Sequence, residues 1–137
     1  GYFILCQEVA KLSMIPNRKG RIVNISSIAG LAGNPIEMQT IAYNTSKGAV
    51  INFTKALAGE WGQHGITVNA IAPGAVVSEA EDRVFGDRLS DYNSFILKNQ
   101  SVKTRILAED VANLAVFLAS DAARMISGQN IGIDGGW

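Results

Sequence analysis

The feature that most constrains the fold is an alternation of short apolar segments with amphipathic helices. The apolar segments are rich in β-branched residues, end at glycine or proline and are too short for helices. They cover residues 21–26, 67–72 and 130–134. The helical segments cover residues 2–14, 42–63 and 109–120. Strands that alternate with helices predict an α/β fold, with a parallel sheet covered on both faces.

Each predicted helix carries apolar residues at spacings of three and four, which places them on one face. These residues are Phe3, Cys6, Val9 and Ala10 in the first helix, Val50, Phe53, Leu57 and Trp61 in the second, and Val111, Leu114, Ala115 and Leu118 in the third. Pro16, Asn17 and Gly20 predict a break after the first helix. Residues 28–40 are predicted to form a loop, and residues 75–101 a mobile segment with one or two short helices.

Charge and composition exclude several classes of function. The chain has 12 basic and 12 acidic residues, so it builds no field that would attract nucleic acid or an anionic membrane surface. No apolar run is long enough to span a bilayer. With His64 as the only histidine and Cys6 as the only cysteine, we expect neither a metal site nor an internal disulfide. A lone buried thiol fits a cytoplasmic setting.

Three side chains form a candidate catalytic group. Tyr43 and Lys47 lie four residues apart on the second helix, so their side chains share a face. A nearby ammonium stabilises the phenolate form, which lets a phenol exchange a proton with an alcohol or a carbonyl. Ser27 follows the first strand, at the edge of a parallel sheet where ligands bind. A tyrosine and a lysine at this spacing also occur together by chance, and Ser26-Ser27 could simply cap a turn.

The joint pattern strongly resembles the short-chain dehydrogenase/reductase family. The motifs that carry this resemblance are Ile25-Ser26-Ser27, the YxxxK from Tyr43 to Lys47, the segment from Val68-Asn69 to Pro73-Gly74, Ser127-Gly128-Gln129 and Asp134-Gly135-Gly136. They span essentially the whole chain, in the order that the family has them. The resemblance implies the C-terminal half of a Rossmann-like, doubly wound parallel sheet, with residues 1–137 as the C-terminal part of a single NAD(P)-binding domain.

The resemblance also implies a role for each residue of the candidate site. Tyr43 would be the general acid and base, and Lys47 would bind the nicotinamide ribose and stabilise the phenolate. Ser27, with Ser26 as its rival, would orient the substrate and stabilise charge on its oxygen. Pro73 and Gly74 would form the turn beside the nicotinamide ring. The backbone of Val76 and the hydroxyl of Ser78 would bind the cofactor, although both could be ordinary loop residues.

The activity implied is interconversion of a secondary alcohol and a ketone with NAD or NADP. The small-molecule substrate could be a polyol, a sugar acid or a 3-oxoacyl compound. Residues 75–101 would be the substrate lid, where Phe85, Tyr92 and Phe95 could line a pocket or simply pack. Family members of this kind form homodimers or homotetramers. A non-catalytic interaction subunit with the same fold is the alternative.

The glycine-rich phosphate turn and the catalytic asparagine of the family do not occur in the sequence. We therefore expect the chain to begin mid-protein, just after that asparagine, and to bind no dinucleotide tightly by itself. We also expect one edge of the sheet to be unpaired, because the strands of the missing N-terminal half would pair there.

Overall fold

The computed structural model describes residues 1–33 and 40–137, which form a three-stranded sheet with helices on both faces. The strands are β1 (Gly20–Ile25), β2 (Ile66–Pro73) and β3 (Asn130–Ile133). The helices are α1 (Tyr2–Val9), α2 (Ile15–Asn17), α3 (Ile41–Trp61), α4 (Glu79–Phe85), α5 (Leu89–Asn99) and α6 (Ala108–Ala119). The predicted order of strands and helices is therefore confirmed, with boundaries shifted by one to three residues.

The sheet is parallel throughout and has the order β1-β2-β3. Gly20 of β1 pairs with Ile66 of β2, and Ala70 of β2 pairs with Asn130 of β3. Residues 66–72 are all buried, because helices cover both faces of this central strand. Among the described residues, β1 pairs with β2 alone, so its outer edge has no neighbouring strand.

Two hydrophobic clusters lie on opposite faces of the sheet. On one face, the side chains of α1 and α3 pack on β2 around Cys6, Leu57, Ile66 and Val68. On the other face, α6 packs around Ile71, Leu118 and Ala123. The apolar faces predicted for α3 and α6 are thus confirmed. In α1 the prediction is only half right, because Cys6 and Ala10 are buried whereas Phe3 and Val9 remain exposed.

The first helix does not stop at Pro16 as predicted. It continues from α1 through a π-helical turn, Ala10–Met14, into α2, and Pro16 lies within α2. Proline cannot donate a backbone hydrogen bond and its ring crowds the preceding turn, so a widened turn before it relieves both problems. The helix ends at Arg18, whose backbone adopts a left-handed conformation with φ of 50°.

Short helices occur both in the predicted loop at 28–40 and in residues 75–101, where one or two short helices were predicted. Residues 28–30 form a 3-10 turn, while residues 34–39 of the predicted loop lie outside the described residues. The segment 75–101 contains α4, a 3-10 turn at Gly86–Arg88, and α5. The helices α4 and α5 are therefore regular elements that follow the carboxyl end of β2. In the described part of the chain, no helix has the length and apolarity needed to cross a membrane.

Candidate functional site

Ser26 and Ser27 follow β1 and are both buried, but their hydroxyls have different partners. Ser26 is buried, and its hydroxyl lies 2.9 Å from the carbonyl oxygen of Ile71 and 2.6 Å from Oδ1 of Asn130. Ser27 is the N-cap of the 3-10 turn, where its Oγ accepts a hydrogen bond of 3.2 Å from the amide of Ala29. A hydroxyl that accepts still has one hydrogen to donate. Ser26 is therefore structural, and Ser27 has a donor available for a ligand.

Tyr43 and Lys47 are brought together on the first two turns of α3, as their spacing predicts. The Lys47 Nζ lies 5.5 Å from the centroid of the Tyr43 ring, which is within the range of a cation–π contact. The same ammonium donates a 2.9 Å hydrogen bond to the carbonyl oxygen of Ile25, the last residue of β1. Within the described residues, the Tyr43 hydroxyl has no hydrogen-bond partner. The ammonium is thus fixed beside the phenol ring, and the phenol hydroxyl is available to a ligand.

A close backbone contact sets the distance between the 3-10 turn that follows Ser27 and α3. A Cβ built on Gly30 would lie 2.7 Å from the carbonyl carbon of Lys47 and 2.8 Å from the amide nitrogen of Gly48. Only glycine allows the turn to approach the helix backbone this closely. The sequence shows Gly30 as a loop glycine; its role in placing Ser27 near Tyr43 emerges only from the packing.

Ser27 and Tyr43 line one cavity of about 160 Å³. Its walls come from the end of β1, from α3, from the loop after β2, from α5 and from the C-terminal residue. The lining residues are Ser27, Ile28, Ala29, Thr40, Tyr43, Gly74, Ala75, Tyr92, Ile96 and Trp137. None of the described side chains that line it carries a formal charge, and the hydroxyls of Thr40 and Tyr92 accompany those of Ser27 and Tyr43 in an otherwise apolar wall.

The three aromatic residues predicted for the lid have different roles. Tyr92 lines the cavity, whereas the Phe85 ring stacks on Tyr92 at a centroid distance of 3.8 Å. Phe95 contacts the edge of Trp137 at 5.8 Å. The sequence analysis missed Ile96 and Trp137 as wall residues. Ile96 could have been found from its spacing of four from Tyr92, but no local pattern brings Trp137 to this site.

Besides Tyr43 and Lys47, the residues proposed to bind the cofactor lie at the end of β2 and in the segment that follows it. Pro73 ends the strand opposite Ile133, and Gly74 lines the cavity. The backbone of Val76 pairs with Ile106 in an isolated parallel bridge. Ser78 is the N-cap of α4 without a side-chain cap bond, and it lines a second cavity of about 390 Å³. Gly74 therefore lines the same cavity as Ser27 and Tyr43, whereas Ser78 lines a different cavity.

No group of three or more potential metal ligands occurs among the described residues. Cys6 is a buried free thiol, and burial raises its pKa above the ordinary value, which keeps the thiol protonated.

The chain resembles known proteins over its whole length. A family model described as Enoyl-(Acyl carrier protein) reductase matches residues 1–137. (+)-Borneol dehydrogenase 2 of Salvia officinalis is 40% identical over the full chain and half of its own length. The chain belongs to the short-chain dehydrogenase/reductase family. The 3-oxoacyl-(acyl-carrier-protein) reductase FabG of Rickettsia felis, another relative, is 43% identical over 98% of the chain and 52% of its own length.

Solved structures agree with the short-chain dehydrogenase/reductase fold. A 4-hydroxyisoleucine dehydrogenase complexed with NADH matches 98% of the chain and 54% of its own, with 42% identity and a TM-score of 0.88. A putative 2-deoxy-D-gluconate 3-dehydrogenase of Agrobacterium tumefaciens, with bound NADP, matches 99% of the chain and 53% of its own, with 35% identity and a TM-score of 0.89. The chain thus spans about half the length of the relatives that it matches.

Proposed function

We propose that this chain forms the catalytic part of an NAD(P)-dependent oxidoreductase that interconverts a secondary alcohol and a ketone. One observation carries the proposal: the hydroxyls of Ser27 and Tyr43 line the same cavity, and the Lys47 ammonium lies beside the Tyr43 ring. Neither hydroxyl donates a hydrogen bond to another described residue. Two available donors in an apolar wall suit a substrate oxygen that gains charge during the reaction.

In this proposal the residues divide the chemistry between them. Tyr43 removes the hydroxyl proton when an alcohol is oxidised and returns it when a ketone is reduced. Lys47 stabilises the phenolate form of Tyr43, which accepts the proton in oxidation and remains after the proton is donated in reduction. Ser27 donates its remaining hydrogen to the substrate oxygen, which fixes the carbon beside it and stabilises negative charge on the oxygen.

The cofactor in this proposal is NAD or NADP, and the residues after β2 fit such a molecule. Lys47 has two ammonium hydrogens besides the one given to Ile25, which suits ribose hydroxyls. Gly74 presents backbone to the cavity, and Ser78 keeps a hydroxyl without a cap bond. Pro73 and Val76 would supply backbone contacts beside them. When bound, the nicotinamide supplies the hydride chemistry that side chains cannot.

The cavity wall favours a neutral carbon skeleton next to the reacting carbon. Tyr92, Ile96 and Trp137 offer apolar surface, and the described lining residues include no cation to pair with a carboxylate. A sugar acid is therefore a weaker candidate than a 3-oxoacyl compound or an apolar secondary alcohol. A polyol fits the two hydroxyls but would leave its other hydroxyls against apolar side chains.

A homodimer or homotetramer in the cytoplasm is the assembly that we propose for the full-length protein. Phe3, Ile4, Leu5 and Leu12 expose large apolar side chains on the helix formed by α1 and the turn after it. Contiguous apolar surface of this kind supports a protein–protein contact. The single cysteine, a buried thiol, supports a reducing compartment. Light scattering on the full-length protein would give its mass directly, and a monomer would contradict the assembly.

The experiment for the proposed activity is a turnover assay on the full-length protein. Apolar secondary alcohols, polyols, sugar acids and 3-oxoacyl thioesters are each offered with NAD(H) and NADP(H), and the reduced nicotinamide is followed by absorbance. We expect turnover with a neutral substrate. Cofactor binding with no turnover across all four classes would contradict the enzyme and favour the alternative, a non-catalytic interaction subunit.

A further inference from the structure

Arg105 lies at the centre of a buried polar network beside the candidate site. Its Nη2 donates to Oε1 of Glu81 in α4 at 2.6 Å and to the carbonyl oxygen of Ala75 at 3.3 Å. Its Nη1 donates to Oδ1 of Asn93 in α5. Only 14% of the Arg105 side chain and 11% of the Glu81 side chain are exposed. One guanidinium thus joins both lid helices to the loop that follows β2.

Tyr92 is held by the same network. The Arg105 guanidinium lies 5.6 Å from the centroid of the Tyr92 ring, and the Phe85 ring stacks on that ring at 12°. Burial first, and then the Glu81 charge, raise the pKa of Tyr92, whereas Arg105 lowers it. The phenol therefore remains protonated at neutral pH, and its ring contacts both the Phe85 ring and the Arg105 guanidinium.

The ring that this network fixes is also a wall of the catalytic cavity. Tyr92 and Ile96, one turn later in α5, line the cavity that holds the Ser27 and Tyr43 hydroxyls. Arg105 itself is not among the lining residues. It reaches the substrate space through two residues that do line the cavity, the Tyr92 ring and the carbonyl oxygen of Ala75.

We propose that Arg105 is a positioning residue for substrate recognition: it holds α4 and α5 so that the Tyr92 ring lines the cavity that contains the Ser27 and Tyr43 hydroxyls. This inference rests on the proposed function, since it assigns a substrate to that cavity. The geometry demands arginine. A planar guanidinium can serve a carboxylate, an amide oxygen and a carbonyl oxygen at once while facing a ring, whereas a lysine ammonium cannot hold this fork.

The test compares Arg105→Lys with Arg83→Lys in the full-length protein. Arg83 is the matched control, because it pairs with Glu79 at 3.3 Å within α4, the helix that also carries Glu81. This pair is solvent-exposed, with 77% of the Arg83 side chain and 91% of the Glu79 side chain accessible. Amide hydrogen exchange is measured across residues 79–99 and across β2. For Arg105→Lys we expect exchange in 79–99 to rise roughly tenfold or more, with β2 unchanged. Arg83→Lys should leave both segments unchanged.

Kinetics supply the second readout, with whichever substrate the turnover assay identifies. Arg105→Lys should raise KM roughly tenfold and change kcat less than about threefold, because Ser27, Tyr43 and Lys47 are untouched. A fall in kcat with an unchanged KM would overturn the proposal. Unchanged exchange in residues 79–99 would overturn it as well.

A second variant separates a local effect from general destabilisation. If Arg105→Lys also raises exchange in β2, Glu81→Gln becomes decisive, because it removes the charge partner and retains the arginine with its other contacts. Exchange must then rise in 79–99 alone, or the proposal fails. Hydrogen exchange is measured without turnover, so it tests the positioning role of Arg105 even if no substrate is found. Absence of turnover contradicts the proposed function, whereas unchanged exchange contradicts the positioning role.

Discussion

The ammonium of Lys47 lies 2.9 Å from the carbonyl oxygen of Ile25 and 5.5 Å from the ring of Tyr43. One side chain of α3 therefore connects the end of β1, where the serine pair begins, to the phenol. Tyr2 of α1 donates to the same carbonyl at 2.9 Å, so two elements anchor the end of the strand. The positive charge is thus fixed relative to both hydroxyls of the candidate site, those of Ser27 and Tyr43.

Removing the Lys47 ammonium should impair chemistry more than folding. Lys47→Met in the full-length protein should lower kcat by roughly 10²–10⁴, because the phenolate loses its nearby positive charge. Lys55→Met is the control, since Lys55 is exposed two turns further along α3. Steady-state kinetics of both variants check this; equal losses would show that a lysine on this helix acts on stability alone.

The two neighbouring serines should separate into a catalytic and a structural residue. Ser27→Ala should lower kcat by roughly 10²–10³, the usual effect of losing one donor to a charged oxygen. Ser26→Ala should leave kcat within a few fold but destabilise the protein by about 1–3 kcal/mol, because Oδ1 of Asn130 loses the buried hydroxyl that donates to it. Kinetics and urea unfolding together test this, and the reverse assignment would contradict the geometry.

The glycine contact between the 3-10 turn and α3 should be intolerant of a methyl group. Gly30→Ala should destabilise the protein by about 1–3 kcal/mol and lower activity, because the added Cβ meets the backbone of Lys47. Gly59 lies within α3 and has open space where a Cβ would be, so Gly59→Ala should stabilise the protein by about 0.5–1 kcal/mol. Thermal unfolding of the two variants gives the comparison. If Gly30→Ala left the melting temperature unchanged, the 3-10 turn would not approach the backbone of α3 as closely as described.

Tyr92 should make stability depend on alkaline pH. Its pKa in the folded protein lies above the ordinary value of 10.0, so the unfolded chain loses the phenol proton first as the pH rises. The stabilisation from Tyr92 is therefore complete below about pH 10 and is lost as the pH rises further. Urea unfolding at about pH 8 and about pH 11 should show a smaller pH effect in Tyr92→Phe than in the unmodified protein. An identical pH effect would contradict this.

The sequence predicted the parts of this fold that depend on local patterns. The apolar run at 67–72 identified β2 because a central strand is buried on both faces, and the spacing of Val50, Leu57 and Trp61 identified the core face of α3. Pro16 misled the prediction, because a π-helical turn accommodates it without a break.

Contacts between distant residues account for what the sequence could not supply. Tyr43 and Lys47 were predictable because they are neighbours on one helix. Arg105 was not, since its partners Asn93, Glu81 and Ala75 lie 12, 24 and 30 residues away. The distinction between Ser26 and Ser27 likewise depends on which hydroxyl Asn130 of β3 engages.

The central claim is that the phenol proton of Tyr43 is the one exchanged with the substrate. Its most direct test is kcat of the Tyr43→Phe variant of the full-length protein, with circular dichroism to verify that the fold is retained. We predict a fall of roughly 10²–10⁴ in a normally folded protein, because phenylalanine keeps the ring and loses only the acid. A folded Tyr43→Phe variant that keeps kcat within about threefold of the unmodified protein would contradict the account.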